Sequence, residues 1–223
     1  MKRAFIYSLT IVISIFLFGF SLMQKKKVIF FGDSITSAGV APNGYITQIQ
    51  SRLVKEGKAK AFDIIGAGIG GNKVYDLYLR LEDDVLSKKP DLVFIYIGIN
   101  DVWHKRTGGT GTDADKFERF YNKLIDKIQA AGARVVICTP TVIGEKKNYV
   151  NELDGDLNKY AEIIRQIAKN KSIELIDLRK NMVDYLQQHN PKDESKGILT
   201  TDGVHMNDEG NRFLADQFYG YIR

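Results

Sequence analysis

Five short runs in this 223-residue chain are apolar at nearly every position: Val28–Phe31, Phe62–Ile65, Leu92–Ile97, Val135–Cys138 and Ile173–Ile176. A strand with one face in water alternates apolar and polar residues, whereas a run without alternation is covered on both faces. Between the runs lie amphipathic stretches at Tyr45–Val54, Lys116–Ala130, Leu153–Ala168 and Leu178–Gln188. In the second of these, Phe117, Phe120, Tyr121, Leu124, Ile125 and Ile128 recur at helical spacing. A last helix is expected after Asn207, turning Phe213, Leu214, Phe218 and Tyr219 inward. Doubly covered strands alternating with helices predict an α/β protein. The architecture expected is a three-layer α/β/α sandwich around a five-stranded parallel sheet with right-handed crossovers. Connections are short except Trp103–Asp113, which contains Gly108, Gly109 and Gly111 and lacks periodicity. It reads as a long loop overhanging a site.

Open α/β sheets put their chemistry at the carboxyl ends of the strands. The first apolar run ends in Gly32-Asp33-Ser34-Ile35-Thr36, which sets a serine at that edge. A serine hydroxyl is a poor nucleophile until a base takes its proton. The chain has three histidines. His104 falls in the long loop, three residues after Asp101, and His189 at a helix end, while His205 follows the carboxylate of Asp202 by three residues near the C-terminus. Asp202 can accept the Nδ1 proton and fix the tautomer whose Nε2 acts on Ser34. Acyl transfer also needs donors aimed at the developing oxyanion. Gly66-Ala67-Gly68-Ile69-Gly70-Gly71-Asn72 after the second run and Gly98-Ile99-Asn100-Asp101 after the third supply them. These residues point to a serine hydrolase.

In order along the chain, Gly32-Asp33-Ser34-Ile35-Thr36, the glycine turn ending at Gly71, Gly98-x-Asn100-Asp101 and Asp202-x-x-His205 resemble the four blocks of the SGNH (GDSL-type) hydrolases. The resemblance spans the chain from about Lys27 to its C-terminus. It implies a flavodoxin-like fold and ester hydrolysis without a cofactor. Ser34 would be the nucleophile, His205 its base and Asp202 the orienting acid. The implied oxyanion hole consists of the Ser34 N–H, the Gly71 N–H and the Asn100 side chain. Gly66 stands where many members open the glycine turn with asparagine; Gly70 adjoins Gly71, and the spacing favours Gly71. Asp33 and Asp101 are expected to bond local backbone. Such hydrolases act on small-molecule or carbohydrate esters. The compact chain, with no long apolar lid, points to short acyl groups such as acetyl on a sugar. A lysophospholipase or lipase-like esterase is the alternative, and Trp103 is the candidate for stacking on a sugar ring.

Other patterns carry less. Gly66-x-Gly68-x-x-Gly71 matches a dinucleotide-binding fingerprint but follows the second strand rather than the first. Asp154-x-Asp156-x-Asn158 opens like a calcium loop, yet Lys159 and Arg165 occupy the positions of the required glycine and glutamate. Helix capping is the better reading of those acids, and no metal is expected. A non-catalytic carbohydrate-binding module on a hydrolase scaffold is the reading from another class. The joint presence of Ser34, Asn100, Asp202 and His205 argues against it.

Residues 1–24 carry Lys2 and Arg3, then no charge from Ala4 to Gln24, with an apolar centre at Ile11–Phe20. This is the pattern of a secretory signal, with Gly19 and Ser21 placing cleavage after Ser21. An uncleaved membrane anchor is the alternative, and would hold the protein at a membrane through residues 4–24. Either way export is expected, with residues 25–223 as the hydrolase domain. Residues 1–24 hold no cysteine, which excludes lipidation there, and the single Cys138 sits in a predicted strand, so no internal disulfide forms. The net charge of +5 falls to +3 without Lys2 and Arg3, and the charges are scattered. That excludes a nucleic-acid partner. Lys25-Lys26-Lys27 reads as a solvated flank.

Overall fold

The computed structural model describes residues 25–222, so the expectation for residues 1–24 lies outside the described residues. Strands β1 (Lys26–Gly32), β2 (Phe62–Gly68), β3 (Leu92–Tyr96), β4 (Arg134–Cys138) and β5 (Glu174–Ile176) pair in parallel, in the order β2-β1-β3-β4-β5. The register sets Gly32 at the end of β1 opposite Gly68 of β2 and Tyr96 of β3. Three strand ends therefore open at one level. The expected five-stranded parallel sheet is present.

The helices are α1 (Ser34–Ala38), α2 (Tyr45–Lys55), α3 (Val74–Asp84), α4 (Ile99–Thr107), α5 (Ala114–Ala130), α6 (Asp154–Lys171), α7 (Leu178–His189) and α8 (Asp208–Tyr219). From β1 the chain steps one way to β2, then back across β1 to β3, β4 and β5. Right-handed crossovers in opposite directions put their helices on opposite faces. Accordingly α2 packs with α8, while α3 packs on α5 and α5 on α6. Asn181 of α7 donates its amide to Gln217 of α8 at 2.7 Å, joining α7 to the first of these layers.

The pleat sends alternate strand residues to alternate faces. Phe30 and Phe94 stack at 4.7 Å beneath α2 and α8, and Phe218 meets both edge-on at 5.3 and 5.2 Å. Tyr45 stacks on Phe218 at 5.2 Å and closes this cluster. Burying each such ring stabilises the fold by roughly 1.5–3 kcal/mol. On the other face α3 lays the Arg80 guanidinium 4.5 Å from the centre of the Phe31 ring.

Some expectations need correction. The segment from Trp103 to Asp113 is not all loop: α4 runs through Thr107, carries Trp103 and His104, and leaves only 108–113 irregular. Its buried side presents the polar Asn100 and Asp101, so no apolar stripe announces the helix. Helix α3 adds to the amphipathic stretches expected from the sequence, with Val74, Leu77 and Leu81 buried at helical spacing. Lys26 and Lys27 belong to β1, where Lys27 donates its Nζ to the Lys88 carbonyl at 2.6 Å. Asp154 is not a helix cap. It is 2% exposed and receives Arg179 Nη2 at 2.6 Å. Arg179, 1% exposed, also donates to Asn158 Oδ1 and the Thr141 carbonyl, both at 2.9 Å. Gly66 and Gly68, which suggested a dinucleotide loop, both lie inside β2.

Candidate active site

The switch point of the sheet lies between β1 and β3, where connections diverge and a crevice opens at the strand ends. Three segments enter it. After β1, Asp33 accepts the Ile35 N–H at 3.0 Å and so caps α1, with Ser34 as its first residue. The end of β2 packs so tightly on this turn that a Cβ at Gly68 would fall 2.1 Å from the Ser37 nitrogen. Only glycine fits there. The turn beyond β2 carries Gly70, whose Cα faces Ser34, and Gly71, whose φ of +77° favours glycine. The third segment is α4, which begins just after β3 and buries Asn100.

The remaining groups come from a tight loop ahead of α8. Thr200 and Met206 form an antiparallel bridge, and the Thr201 N–H donates to the His205 carbonyl at 2.8 Å. Inside this loop Asp202 accepts the N–H groups of Val204 and His205 at 2.9 and 2.8 Å through Oδ1. Its Oδ2 lies 2.7 Å from His205 Nδ1. Burial opposes ionisation of Asp202, but the hydrogen bonds from the His205 ring and the two N–H groups outweigh it and hold the pKa at about 2. The carboxylate is charged and aligned with the ring. On the far side of that ring, Nε2 stands 3.0 Å from Ser34 Oγ. The expected trio is thus assembled from residues at the two ends of the described fold.

Asn100, 3% exposed, gives one amide N–H to the Asn72 carbonyl at 3.1 Å. Its second amide proton has no protein acceptor among the described residues. Trp103 projects from the same helix with its ring centre 6.5 Å from that of His205. Asp33 accepts from local backbone, as expected. Asp101 does not: it reaches across to the Val74 N–H at 3.1 Å, tying α4 to the start of α3. His104 flanks the glycine turn, and His189 sits away from the site, stacked on Tyr185 at 4.0 Å.

Two supporting residues were not foreseen. Glu145, fully buried, accepts the N–H groups of Ile198, Leu199 and Thr200 at 2.7, 2.7 and 2.6 Å, just upstream of Asp202. Arg80 of α3 donates to both the β1 end and the glycine turn. Neither has a local sequence signature, since its partners are remote in the chain.

Burial raises the Asp33 carboxyl to about 7, although the Ile35 N–H and the neighbouring His205 and Arg80 side chains pull the other way. The folded state then keeps a proton that the unfolded chain loses near pH 4, so ionisation of Asp33 opposes folding increasingly from about pH 4 to pH 7. Asn can accept the same Ile35 N–H without a charge. D33N is expected to recover about 2 kcal/mol at pH 8 relative to pH 5, read from urea midpoints at the two pH values. An equal effect at both would contradict the assignment.

The sequence model of the GDSL-like lipase/acylhydrolase family matches residues 30–213. The chain belongs to that family. This GDSL-family protein is a carboxylic ester hydrolase of the SGNH fold. It is similar to an acetyl xylan esterase of known crystal structure, AlAXEase, with 56% identity and a TM-score of 0.87, covering 88% of this chain and all of the other. It is 27% identical over 208 residues to the acetylxylan esterase of Geobacillus stearothermophilus, covering 86% of this chain and 92% of that one. Solved catalytic mutants of that enzyme replace a serine, an aspartate and a histidine, the last two three positions apart. An uncharacterized lipoprotein of Bacillus subtilis strain 168, YqeF, is 26% identical over 212 residues, covering 86% of this chain and 87% of it.

Proposed function

We propose that this hydrolase is an exported serine esterase that removes short acyl groups, acetyl above all, from acetylated carbohydrates. The observation that carries the chemistry is the continuous relay from Asp202 through His205 to Ser34. Ser34 Oγ attacks the ester carbonyl carbon while its proton passes to His205 Nε2, and the carbonyl oxygen takes the negative charge. The N–H groups of Ser34 and Gly71 and the free amide proton of Asn100 receive that oxyanion. As the tetrahedral intermediate collapses, the C–O bond to the alcohol breaks and His205 protonates the departing oxygen. Water then attacks the acyl-enzyme, giving its proton to His205; the acid leaves and Ser34 regains its hydrogen. Asp202 stays charged throughout and holds the imidazole in the useful tautomer.

The substrate reading draws on the two acetylxylan esterases to which the chain is similar, and on Trp103, a half-buried ring beside His205 and suited to stacking on a sugar. Export draws on the character of residues 1–24 and on the lipoprotein relative. The test is a series of p-nitrophenyl esters from acetate to dodecanoate, followed by acetylated xylan and lysophosphatidylcholine. Acetate is expected to exceed octanoate by at least about tenfold in kcat/KM, with acetate released from xylan. A preference for octanoate or longer, with lysophospholipid turnover, would refute the carbohydrate assignment.

A further inference from the structure

Arg80 makes no hydrogen bond to Ser34 or His205, yet it bonds to the ends of β1 and β2 and to the turn that follows β2. It stands on α3 with its side chain 14% exposed. Nη2 donates to the Gly32 carbonyl at 2.8 Å and to the Ala67 carbonyl at 3.0 Å, the last turns of β1 and β2. Nε donates to Asn72 Oδ1 at 2.7 Å, and Nη1 is held by Asp84 at 2.6 Å. The guanidinium lies over the Phe31 ring, which fixes its plane.

The Gly32 carbonyl also accepts the Ile69 N–H at 3.2 Å, so the nucleophile turn and the glycine turn meet at the atom Arg80 grips. Asn72 passes the constraint onward. Its side chain is taken by Arg80, and its backbone carbonyl takes one amide proton of Asn100. That bond decides which way the other Asn100 proton points. One planar fork thus sets the relative positions of Ser34, Gly71 and Asn100.

We infer that Arg80 is a positioning residue for ester hydrolysis, locking the nucleophile turn to the oxyanion turn through Gly32, Ala67 and Asn72. The inference rests on the assignment of Ser34 as nucleophile and of Gly71 and Asn100 as oxyanion donors. A lysine cannot replace it, because a single ammonium does not span acceptors on three segments in one plane. Displacement of an oxyanion donor by a fraction of an ångström acts on the transition state more than on the bound ester.

The experiment compares R80A, R80K and wild type on p-nitrophenyl acetate, with and without millimolar methylguanidine, alongside melting temperatures. For folded R80A and R80K we expect kcat to fall about 100-fold with KM within about threefold. Methylguanidine is expected to restore at least tenfold of the loss in R80A and none in R80K. A kcat within threefold of wild type overturns the proposal. So does a loss that methylguanidine leaves untouched, which would assign Arg80 to general stability. Should R80A not fold, N72A removes the Nε acceptor alone; about a tenfold loss in kcat supports the proposal and an unchanged kcat overturns it. Labelling of the wild type by a fluorophosphonate, mapped to Ser34, tests the underlying nucleophile separately.

Discussion

S34A is expected to lower kcat on p-nitrophenyl acetate by about 10⁴-fold or more while shifting the unfolding transition by only a few degrees. The expectation follows from what the hydroxyl touches. Ser34 Oγ has one side-chain partner, His205 Nε2 at 3.0 Å, and the backbone at this position is held by the Asp33 cap and the sheet end. Deleting the oxygen therefore removes the nucleophile and leaves the surrounding structure in place. A half-buried hydroxyl is worth about 1 kcal/mol, which in a domain of this size moves the Tm by only a few degrees. Steady-state kinetics and a urea melt on the same preparation decide the matter. Turnover within tenfold of wild type would show that another group attacks the ester.

The largest effect on stability is expected at Arg179. R179A should cost about 3–5 kcal/mol, because it leaves the Asp154 carboxylate buried with its charge uncompensated. In a domain of this size that corresponds to a fall in Tm on the order of 10 °C. The pair joins α6 to α7 and reaches the Thr141 carbonyl in the loop after β4, so three segments lose a common anchor. Replacing both partners with apolar residues of similar size, D154L with R179M, should recover much of the loss, since no charge is then buried. Urea denaturation of the two variants checks both halves. A double variant no better than R179A would mean that the hydrogen bonds to Asn158 and Thr141, rather than the charge, carry the effect.

The five strands were legible because a parallel sheet covered on both faces leaves almost no polar positions, and that pattern survives in the sequence with ends displaced by at most three residues. Ser34 and His205 could be proposed for a different reason: Gly32-Asp33-Ser34 ends an apolar run, and Asp202-x-x-His205 completes the ordered set of blocks that begins there. The α4 helix was not legible. Its inward face carries Asn100 and Asp101, so the residues that serve the site erased the periodicity that marks a helix. For α3 the signal in Val74, Leu77 and Leu81 is only three residues deep and directly follows the glycine-rich turn. Arg80 and Glu145 could not be read at all. Their value lies in backbone atoms that only tertiary structure brings within reach, and no spacing rule encodes such partners.

Ser34 follows the first strand, whereas Asp202 and His205 arrive 168 and 171 residues later on one small loop. The proposed acid and base travel together, and the proposed nucleophile waits for them. On the proposed mechanism, the serine lacks its base until the last loop docks, with Glu145 engaged and the sheet complete. On that mechanism, ester turnover is expected to report complete chain closure and to be absent from partly folded forms in which this loop is undocked.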